Sequence, residues 1–159
     1  MEIWQHFSRD ARRAVLRAEQ IARELHASVI APEHLALGII EIGEGSGWAM
    51  LQRLGVNLTR LREALLAAAP VGAAPGPAEL ELSSQAQRCL QTAYLEWQKH
   101  VAARADAEAP GAAKPPLESV HLLLGLLAPS SRCECRTLIS HGVFYGEVRE
   151  LLRRDAARR

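Results

Sequence analysis

The sequence predicts an all-α fold in which two tandem four-helix repeats pack with pseudo-twofold symmetry. Aromatic residues make up only 4% of the 159 residues, whereas hydrophobic residues make up 48%. Apolar positions recur at spacings of three and four, as on the buried face of a helix, and no segment alternates for long enough to indicate a strand. A five-residue motif, H-L-x-L-G, begins at His34 and again at His121.

Charge and hydropathy exclude two classes of partner. The chain carries 19 basic and 18 acidic residues, a formal net charge of +1, so we expect no nucleic-acid binding. The longest apolar run, Leu122–Ala128, is far shorter than the roughly 20 residues that a membrane-spanning helix requires. Glu2 directly follows the initial methionine, which is not typical of a secretory signal. We therefore expect a cytoplasmic protein without membrane contacts.

The cysteine pattern predicts neither a disulfide framework nor a metal site. Cys89, Cys133 and Cys135 form an odd and sparse set, which is typical of reduced thiols in the cytosol. A zinc site needs about four well-placed ligands, and the C-x-C pair has no second close pair beside it. We expect no metal and no cofactor.

Capping and breaking residues divide the first half into four helices. Ser8 is a suitable N-cap for a helix over Arg9–Leu25, and Pro32 suits the first turn of a second helix. That second helix should end before a glycine-rich turn, and a short third helix should cover Trp48–Leu54. Asn57 then caps a fourth helix.

The second half repeats the order of the first. Seventeen residues separate Gly38 from Gly55. The same number separates Gly125 from Gly142, and Ser83 matches the N-cap of the first helix. The path from this cap to the second H-L-x-L-G is twelve residues longer, which indicates an insertion in the stretch ARADAEAPGAAKPP. Its alanine, proline and glycine content favours a loop.

These intervals define one domain made of two repeats. We expect a single domain over residues 1–159, with repeat one at 1–68, a linker at 69–80 and repeat two at 81–157. The loop insertion is expected near residues 102–116. Since a half of this size buries its apolar stripe poorly, the two repeats should share one core.

Four segments of the first repeat resemble one known family. They are WQHFS at residues 4–8, APEHLALGI at 31–39, GEG at 43–45 and LQRLGV at 51–56. In order and spacing they resemble the ClpC-type pattern of the Clp amino-terminal domain, the duplicated helical module at the front of ClpA, ClpB and ClpC-type AAA+ unfoldases. That pattern reads F-x-R-F-T, G-T-E-H-I-L-L-G-L, E-G-E-G and L-x-x-L-G-V. The resemblance covers essentially the whole chain, and the second repeat is the more divergent.

The resemblance implies a non-catalytic protein- or peptide-binding module of a Clp protease system. Its expected partners are Clp unfoldase or protease components, or their substrate proteins and peptides. No G-x-x-x-x-G-K-[ST] motif is present, so the chain itself is not the ATP-driven motor. Two forms are open: a stand-alone adaptor, regulator or decoy, and the excised N-terminal domain of a full-length Clp ATPase.

The resemblance also implies a site for phosphorylated arginine. Glu33 matches the glutamate that holds the guanidinium group, and a carboxylate can accept two parallel N–H bonds. Ser8 and Pro32 stand at the two hydroxyl positions of the family's phosphate site. The alternative is that Glu33 only stabilises a helix N-terminus through the helix dipole, a contribution of about 0.3 to 1 kcal/mol.

The basic positions of this implied site are altered. His6 and Asp10 stand where the family has arginines, while Arg9 and Arg12 are expected to substitute from neighbouring faces. In the second repeat, Val120 takes the glutamate position. Since a valine side chain accepts no hydrogen bond, we expect the second phosphoarginine pocket to be absent.

Two aromatic residues near the amino end are candidates for a partner groove. In the family, an aromatic residue at this position lies near the groove between the repeats that receives peptides, which implies this role for Trp4 and Phe7. The alternative is a hydrophobic staple under the first helix. This alternative applies slightly more to Phe7.

The remaining reactive residues favour structural roles. His34 and His121 begin apolar helices and are expected to be packed and hydrogen-bonded, and Trp97 is expected in the core. A small helical hydrolase using Cys89 or a histidine is a third interpretation. No nucleophile, base and orienting group form a recognisable motif, which disfavours it.

Overall fold

A computed structural model describes residues 2–105, 111, 113–133 and 135–157. Within these residues the chain forms eight α-helices and no extended strand, which confirms the predicted all-α fold. Short 3-10 turns cover Glu2–His6 and Pro129–Ser131. The helices are α1 (Arg9–Glu24), α2 (Pro32–Glu41), α3 (Ser46–Arg53), α4 (Leu58–Ala68), α5 (Ser84–Ala105), α6 (Ser119–Leu127), α7 (Arg136–Ser140) and α8 (Tyr145–Ala157). No helix in this described part is long and apolar enough to cross a bilayer.

Local capping explains where the first helices begin. The Ser8 hydroxyl accepts a hydrogen bond from Ala11 N at 3.2 Å, and the Asn57 side chain accepts one from Arg60 N at 3.1 Å, so both predicted N-caps are confirmed. The third helix begins at Ser46, two residues before the predicted start, because Gly45 adopts a φ of 94° at its N-cap.

The predicted insertion is partly helical. Helix α5 continues to Ala105, so the loop does not begin near residue 102 as the composition indicated. The alanine and arginine residues at this end are good helix formers, and they extend the helix before proline and glycine can stop it. Residues 106–110 and 112 of the predicted insertion lie outside the described residues.

Two short backbone pairings show that the halves of the chain interleave. Phe7 forms a parallel bridge with Leu117, just before α6, and Ile30 forms one with Leu82, just before α5. The segment before α1 therefore pairs with the segment before α6, and the segment before α5 pairs with the segment before α2. This exchange is what a pseudo-twofold axis between two equal repeats requires.

The glycine of each H-L-x-L-G motif lets a central helix cross its neighbour closely. A Cβ atom on Gly38 would lie 2.1 Å from the Ala14 carbonyl oxygen in α1. A Cβ atom on Gly125 would lie 2.2 Å from the Cys89 carbonyl oxygen in α5. Helices α2 and α6 thus form the centre of the core, and all of α6 is buried.

The histidine of the motif fixes the start of the same helices. The Nδ1 atom of His34 accepts the Ala31 backbone N–H at 2.9 Å, and that of His121 accepts the Glu118 N–H at 2.9 Å. Each Nε2 atom therefore carries the proton. His34 donates it to the Pro70 carbonyl oxygen at 3.3 Å, and His121 donates it to His100 Nδ1 at 2.8 Å. Both histidines are 0% exposed, which confirms the prediction of packed, hydrogen-bonded side chains.

Candidate binding site

The N-termini of α1, α3 and α6 meet at the carboxylate of Asp10. Its Oδ2 atom accepts hydrogen bonds from Ser46 N at 3.1 Å, Ser119 N at 3.4 Å and Ser119 Oγ at 2.7 Å. Its Oδ1 atom accepts from Ala11 N at 2.9 Å and from the Ser8 hydroxyl. The backbone approach is close, since a Cβ atom on Gly45 would lie 2.4 Å from Oδ2. Free N–H groups and helix dipoles at such a junction favour a negative charge.

The Asp10 carboxylate is the anion of this junction. Partial burial raises its pKa, but hydrogen bonds from Ser8, Ser119 and the Ser46 backbone outweigh burial, so the pKa lies below its usual value. Asp10 stands where the resemblance implied an arginine, and the chain's own acid occupies the helix N-termini that would otherwise favour a phosphate. An external phosphate at this junction would meet a like charge.

Val120 belongs to the same junction. Its backbone N–H donates to Ser46 Oγ at 3.1 Å, and the Ser119 hydroxyl accepts the Gly47 N–H at 2.8 Å. The valine side chain is buried and provides no acceptor for a guanidinium group. The geometry is consistent with the expectation that a pocket on this side is absent.

Glu33 lies at the other junction, which corrects the grouping made from the sequence. The segment before α2 pairs with the segment before α5, where Ser83 N donates to the Ile30 carbonyl oxygen at 2.9 Å. Ser8 instead pairs with the segment before α6, its N–H donating to the Leu117 carbonyl oxygen at 2.8 Å. The alignment of the two repeats assumed that each repeat is a closed unit. In the structure the two halves interleave, so Glu33 lies beside the N-terminus of α5 and apart from that of α1. The hydroxyl at the Glu33 junction is that of Ser83, which accepts Ala86 N at 3.0 Å.

The charge of Glu33 influences the pKa of two thiols, those of Cys133 and Cys135. Burial raises the pKa of Cys135 to about 12, and the nearby Glu33 carboxylate adds to this rise. A hydrogen bond from Cys89 lowers the pKa of Cys133, an effect that the Glu33 charge opposes. Glu33 itself is half-exposed in the first turn of α2. The carboxylate is thus accessible from solvent at a junction of helix N-termini.

The other residues of the implied phosphate site lie around α1. The ring of His6 packs on Trp97 with centroids 4.7 Å apart, and Arg12 donates to the Trp4 carbonyl oxygen at 3.2 Å. Arg9 is exposed at the start of the helix. Pro32 is buried at the start of α2, where it begins the helix and has no hydroxyl to offer. None of these basic side chains is brought to Glu33.

Trp4 and Phe7 differ in exposure. Phe7 is 6% exposed and belongs to the core, which contradicts its assignment to a partner groove and fits the staple alternative. Trp4 is half-exposed and packs on Phe7 with ring centroids 4.8 Å apart. Trp97 is buried as expected, and its indole N–H donates to the Pro115 carbonyl oxygen at 2.9 Å.

A cleft of about 310 Å³ opens between the two repeats. Met50 of α3 lines one side and Leu152 of α8 the other, with Val120 between them. An ion pair joins the two repeats here. The Arg53 Nη1 atom donates to both carboxylate oxygens of Asp155, at 2.7 and 2.9 Å. Neither Trp4 nor Phe7 is among the residues that line this cleft, so it differs from the partner groove that the resemblance implied for them.

The geometry disfavours the hydrolase interpretation. Cys89 is 1% exposed, and its hydrogen bond with Cys133 together with burial raises the pKa of its thiol. A nucleophilic cysteine needs accessible thiolate character. His34 and His121 use both ring nitrogens in structural hydrogen bonds. Among the described residues, no group of three or more His, Cys, Asp or Glu side chains is arranged to hold a metal ion.

Comparison with known proteins defines the class of this fold. The N-domain of ClpV from Vibrio cholerae superposes with a TM-score of 0.75 at 15% identity, covering 98% of this chain and 90% of that one. The Hsp104 N-terminal domain from Candida albicans gives 0.65 at 17% identity over 92% and 88% of the two chains. The ClpD N-terminal domain from Arabidopsis thaliana gives 0.63 at 18% identity over 97% and 96%. The fold is that of Clp N-domains.

The sequence itself establishes the family. The model of the Clp repeat (R) N-terminal domain matches residues 6–103, and the chain belongs to this family. It is 37% identical over 60 residues to the chloroplastic chaperone protein ClpD of Arabidopsis thaliana, a match over 38% of this chain and 6% of that protein. It is 36% identical over 61 residues to the chaperone protein ClpB of Oceanobacillus iheyensis, over 38% of this chain and 8% of that protein. The chain matches only a small part of these relatives.

Proposed function

We propose that this domain is a non-catalytic protein- or peptide-binding module of a Clp protease system. In this proposal it is a stand-alone adaptor, regulator or decoy in the cytoplasm that docks substrates or the AAA+ unfoldase itself. Membership of the Clp repeat family and the fold of Clp N-domains support this class of function. The buried Cys89 and the structurally engaged motif histidines are consistent with binding without turnover.

The observation that carries the proposal is the difference between the two helix junctions. At the α1 junction, Asp10 supplies the anion and Val120 replaces the guanidinium acceptor. At the α5 junction, Glu33 is half-exposed, and the segments before α2 and α5 are joined by a hydrogen bond from Ser83 N to the Ile30 carbonyl oxygen. Gln85, the counterpart of Asp10, is uncharged and exposed. We propose that a single phosphoarginine site remains, with Glu33 holding the guanidinium and the α5 N-terminus facing the phosphate.

Calorimetric titration with phosphoarginine peptides tests this assignment. A peptide with one phosphoarginine should bind with a stoichiometry of one, and the same peptide with plain arginine should bind much more weakly. Glu33→Gln should weaken binding at least tenfold, since it removes a charged bidentate acceptor. Glu147→Gln is the matched control, because Glu147 is also an exposed acid in the first turn of a helix. If both variants changed the affinity for the peptide equally, Glu33 would not hold the guanidinium group, and its role would be limited to stabilising the N-terminus of α2.

Trp4 is the second proposed contact. Its half-exposed ring lies at the amino end, stacked on the buried Phe7, and aromatic side chains anchored in this way often contribute strongly to interfaces. Adding the purified domain to a reconstituted ClpC-type unfoldase and protease tests its role: an adaptor accelerates substrate degradation and a decoy slows it. Trp4→Ala should reduce either effect, and degradation that does not respond to the domain would contradict the proposal.

The second candidate is that the chain is the N-terminal domain of a full-length Clp ATPase. The curated relatives favour it, because the matched segments are small parts of much longer Clp proteins. Sequencing the reading frame beyond Arg159 distinguishes the two, since an ATPase would continue into a G-x-x-x-x-G-K-[ST] motif.

A further inference from the structure

Helices α5 and α8 leave a second cleft on the surface of repeat two. It has a volume of about 380 Å³, and its floor is Leu124 of α6. One wall is the stripe Lys99, His100 and Ala103 of α5. The other wall is a stripe of α8 with the same helical spacing, and it consists of Arg149, Leu152, Arg153 and Ala156.

The equivalent position in repeat one is covered. The counterpart of Leu152 is Leu65, which is 0% exposed, and the counterpart of Ala156 is Ala69, which is also buried. Leu152 and Ala156 are both half-exposed. Among the described residues, no segment covers these positions of α8 as one covers their counterparts in α4.

The cover in repeat one is the non-helical segment that follows α4. The Pro70 carbonyl oxygen accepts the Nε2 proton of His34 at 3.3 Å, and Gly72 N donates to the Leu25 carbonyl oxygen at 3.0 Å. The segment packs closely against the residues that follow the C-terminus of α1. A Cβ atom on Gly72 would be only 2.1 Å from the His26 carbonyl oxygen. In repeat two, the His121 proton goes to the side chain of His100 at the edge of the cleft.

The charge of the open cleft is basic. Arg149 forms no ion pair within the described part of the chain, and its guanidinium group lies 6.0 Å from the centre of the Tyr145 ring. Lys99 is 60% exposed, and its Nζ atom lies 3.7 Å from a carboxylate oxygen of Glu96. Arg153 pairs with the surface residue Glu150 at 2.7 Å. The acid in the cleft, Glu96, is 4% exposed, accepts the Tyr145 hydroxyl and pairs with Lys99. Three cationic side chains and this one carboxylate line the cleft, so its formal charge is 3 − 1 = +2.

We propose that the α5/α8 cleft binds an extended acidic segment of a partner protein. The segment would carry small apolar residues, which lie on Leu124 and Leu152 as residues 70–76 lie on repeat one. Carboxylates on either side of these residues would pair with Lys99 and Arg149. The inference rests on the proposed binding function for the existence of a partner, but it uses a different surface from Glu33 and Trp4.

A designed peptide tests the cleft directly. The probe has the sequence of residues 69–76 extended by two glutamates at each end, and its partner probe carries lysines instead. Titration into the labelled domain, followed by NMR, should shift the signals of Ala103 and Leu124, which line this cleft and not the 310 Å³ cleft, with the glutamate probe alone. The affinity should fall several-fold between about 0.05 M and about 0.5 M salt, as expected for exposed charge pairs.

Matched variants separate the cleft from general charge effects. Arg149→Glu should weaken binding at least tenfold, whereas Arg62→Glu, its counterpart on the surface of α4, should change it less than twofold. Ala156→Trp fills the cleft without a change of charge and should also abolish binding. Equal binding of both probes, no binding, equal effects of the two arginine variants, or occupation of the cleft by this chain's own residues after Ala157 would overturn the inference. Phosphoarginine binding at Glu33 would be unaffected by that outcome, so the two proposals fail separately.

Discussion

Two buried histidines should make the stability of the fold depend on pH. His34 and His121 each accept a backbone N–H on Nδ1 and donate from Nε2, so neither can gain a second proton without losing the acceptor. Burial, with a smaller contribution from His100, lowers the pKa of His121 to about 3. Burial also lowers the pKa of His34, against the opposing effect of its hydrogen bond to Pro70.

The sign of the pH dependence follows from these lowered values. An unfolded histidine titrates near pH 6.5, so below that pH the unfolded chain binds more protons than the folded one. The contribution of His121 to the free energy of unfolding should therefore fall as the pH drops from about 6.5 toward 3, by up to about 1.4 kcal/mol per pH unit. The lowered pKa of His34 adds a fall of the same sign below about pH 6.5. His121→Gln keeps an acceptor for the Glu118 N–H and removes the titration, so urea unfolding between these pH values should show a shallower slope. An unchanged slope would contradict this account.

Asp10 joins both halves of the chain through its carboxylate. Asp10→Asn replaces one acceptor oxygen by a donor that faces other donors, so we expect a loss of about 2 kcal/mol or more in the free energy of unfolding. Asp155→Asn is the control, because its ion pair with Arg53 is 39% exposed and should contribute less than about 1 kcal/mol. Urea denaturation of both variants measures the difference, and equal losses would show that Asp10 is only a surface acid.

The same junction should accept an external anion once Asp10 is removed. In Asp10→Ser, the N–H groups of Ser46 and Ser119 lose their charged partner, so millimolar phosphate should raise the melting temperature by about 2 °C or more. The wild-type domain should show no such rise. A wild-type response equal to that of the variant would mean that Asp10 does not occupy the anion position.

Residue roles were predictable from the sequence only where they are local. Ser8 and Asn57 cap helices that begin one residue later, so their identity was sufficient. Asp10 was missed as a junction residue because its partners Ser46 and Ser119 are 36 and 109 residues away. An acid in the first turn was the available signal, and it indicated only a helix N-terminus.

At the level of elements, the repeated glycine sets the distance between helices. Gly38 of α2 lies against α1, and Gly125 of α6 lies against α5. Alanine at either position would place Cβ against backbone atoms that have no flexible end to move, so each substitution should cost about 2 kcal/mol or more. Gly146→Ala in α8 is the control, since no atom lies within 4 Å of its Cβ position and it should be neutral or slightly stabilising.

Thermal and urea unfolding of the three alanine variants tests this crossing. Gly38→Ala and Gly125→Ala should lose similar free energies of unfolding, because the two crossings are equivalent. Tolerance of alanine at both positions would show that the helices are not packed through the motif glycine.

Element boundaries were predicted well where a breaker residue marks them. The ends of α1, α2 and α3 differ little from the sequence expectation. The end of α5 was wrong because alanine and arginine continue a helix until a breaker appears. The second cleft could not be predicted, since the stripes that line it look like ordinary polar faces until the position of α8 is known.

For the whole molecule, interleaving makes the two halves interdependent. The segment before each of α1 and α2 pairs with repeat two, and the central helices α2 and α6 share one core. A fragment of residues 1–75 should therefore give the collapsed amide NMR spectrum of an unfolded or fluctuating chain, and mixing it with residues 76–159 should restore dispersion. A well-dispersed spectrum for either fragment alone would contradict a shared core.

The repeat pattern predicted the number of helices and their symmetry correctly, but it grouped Glu33 with the first helix of its own repeat. Lining up H-L-x-L-G with its copy located Glu33 and Val120 correctly within their own helices. It could not show that Glu33 lies at the N-terminus of α5 and Val120 at the N-terminus of α1, because these contacts join segments of different repeats. Such contacts depend on the tertiary structure.

The measurement that tests the central claim most directly is binding of the folded domain to an assembled ClpC-type unfoldase and to its protein substrates. Biolayer interferometry with the immobilised domain should show saturable binding to one of them, weakened by Glu33→Gln or Trp4→Ala and unchanged by Glu147→Gln. A folded domain that binds neither the unfoldase nor its substrates would contradict the proposed role as a docking module of the Clp system.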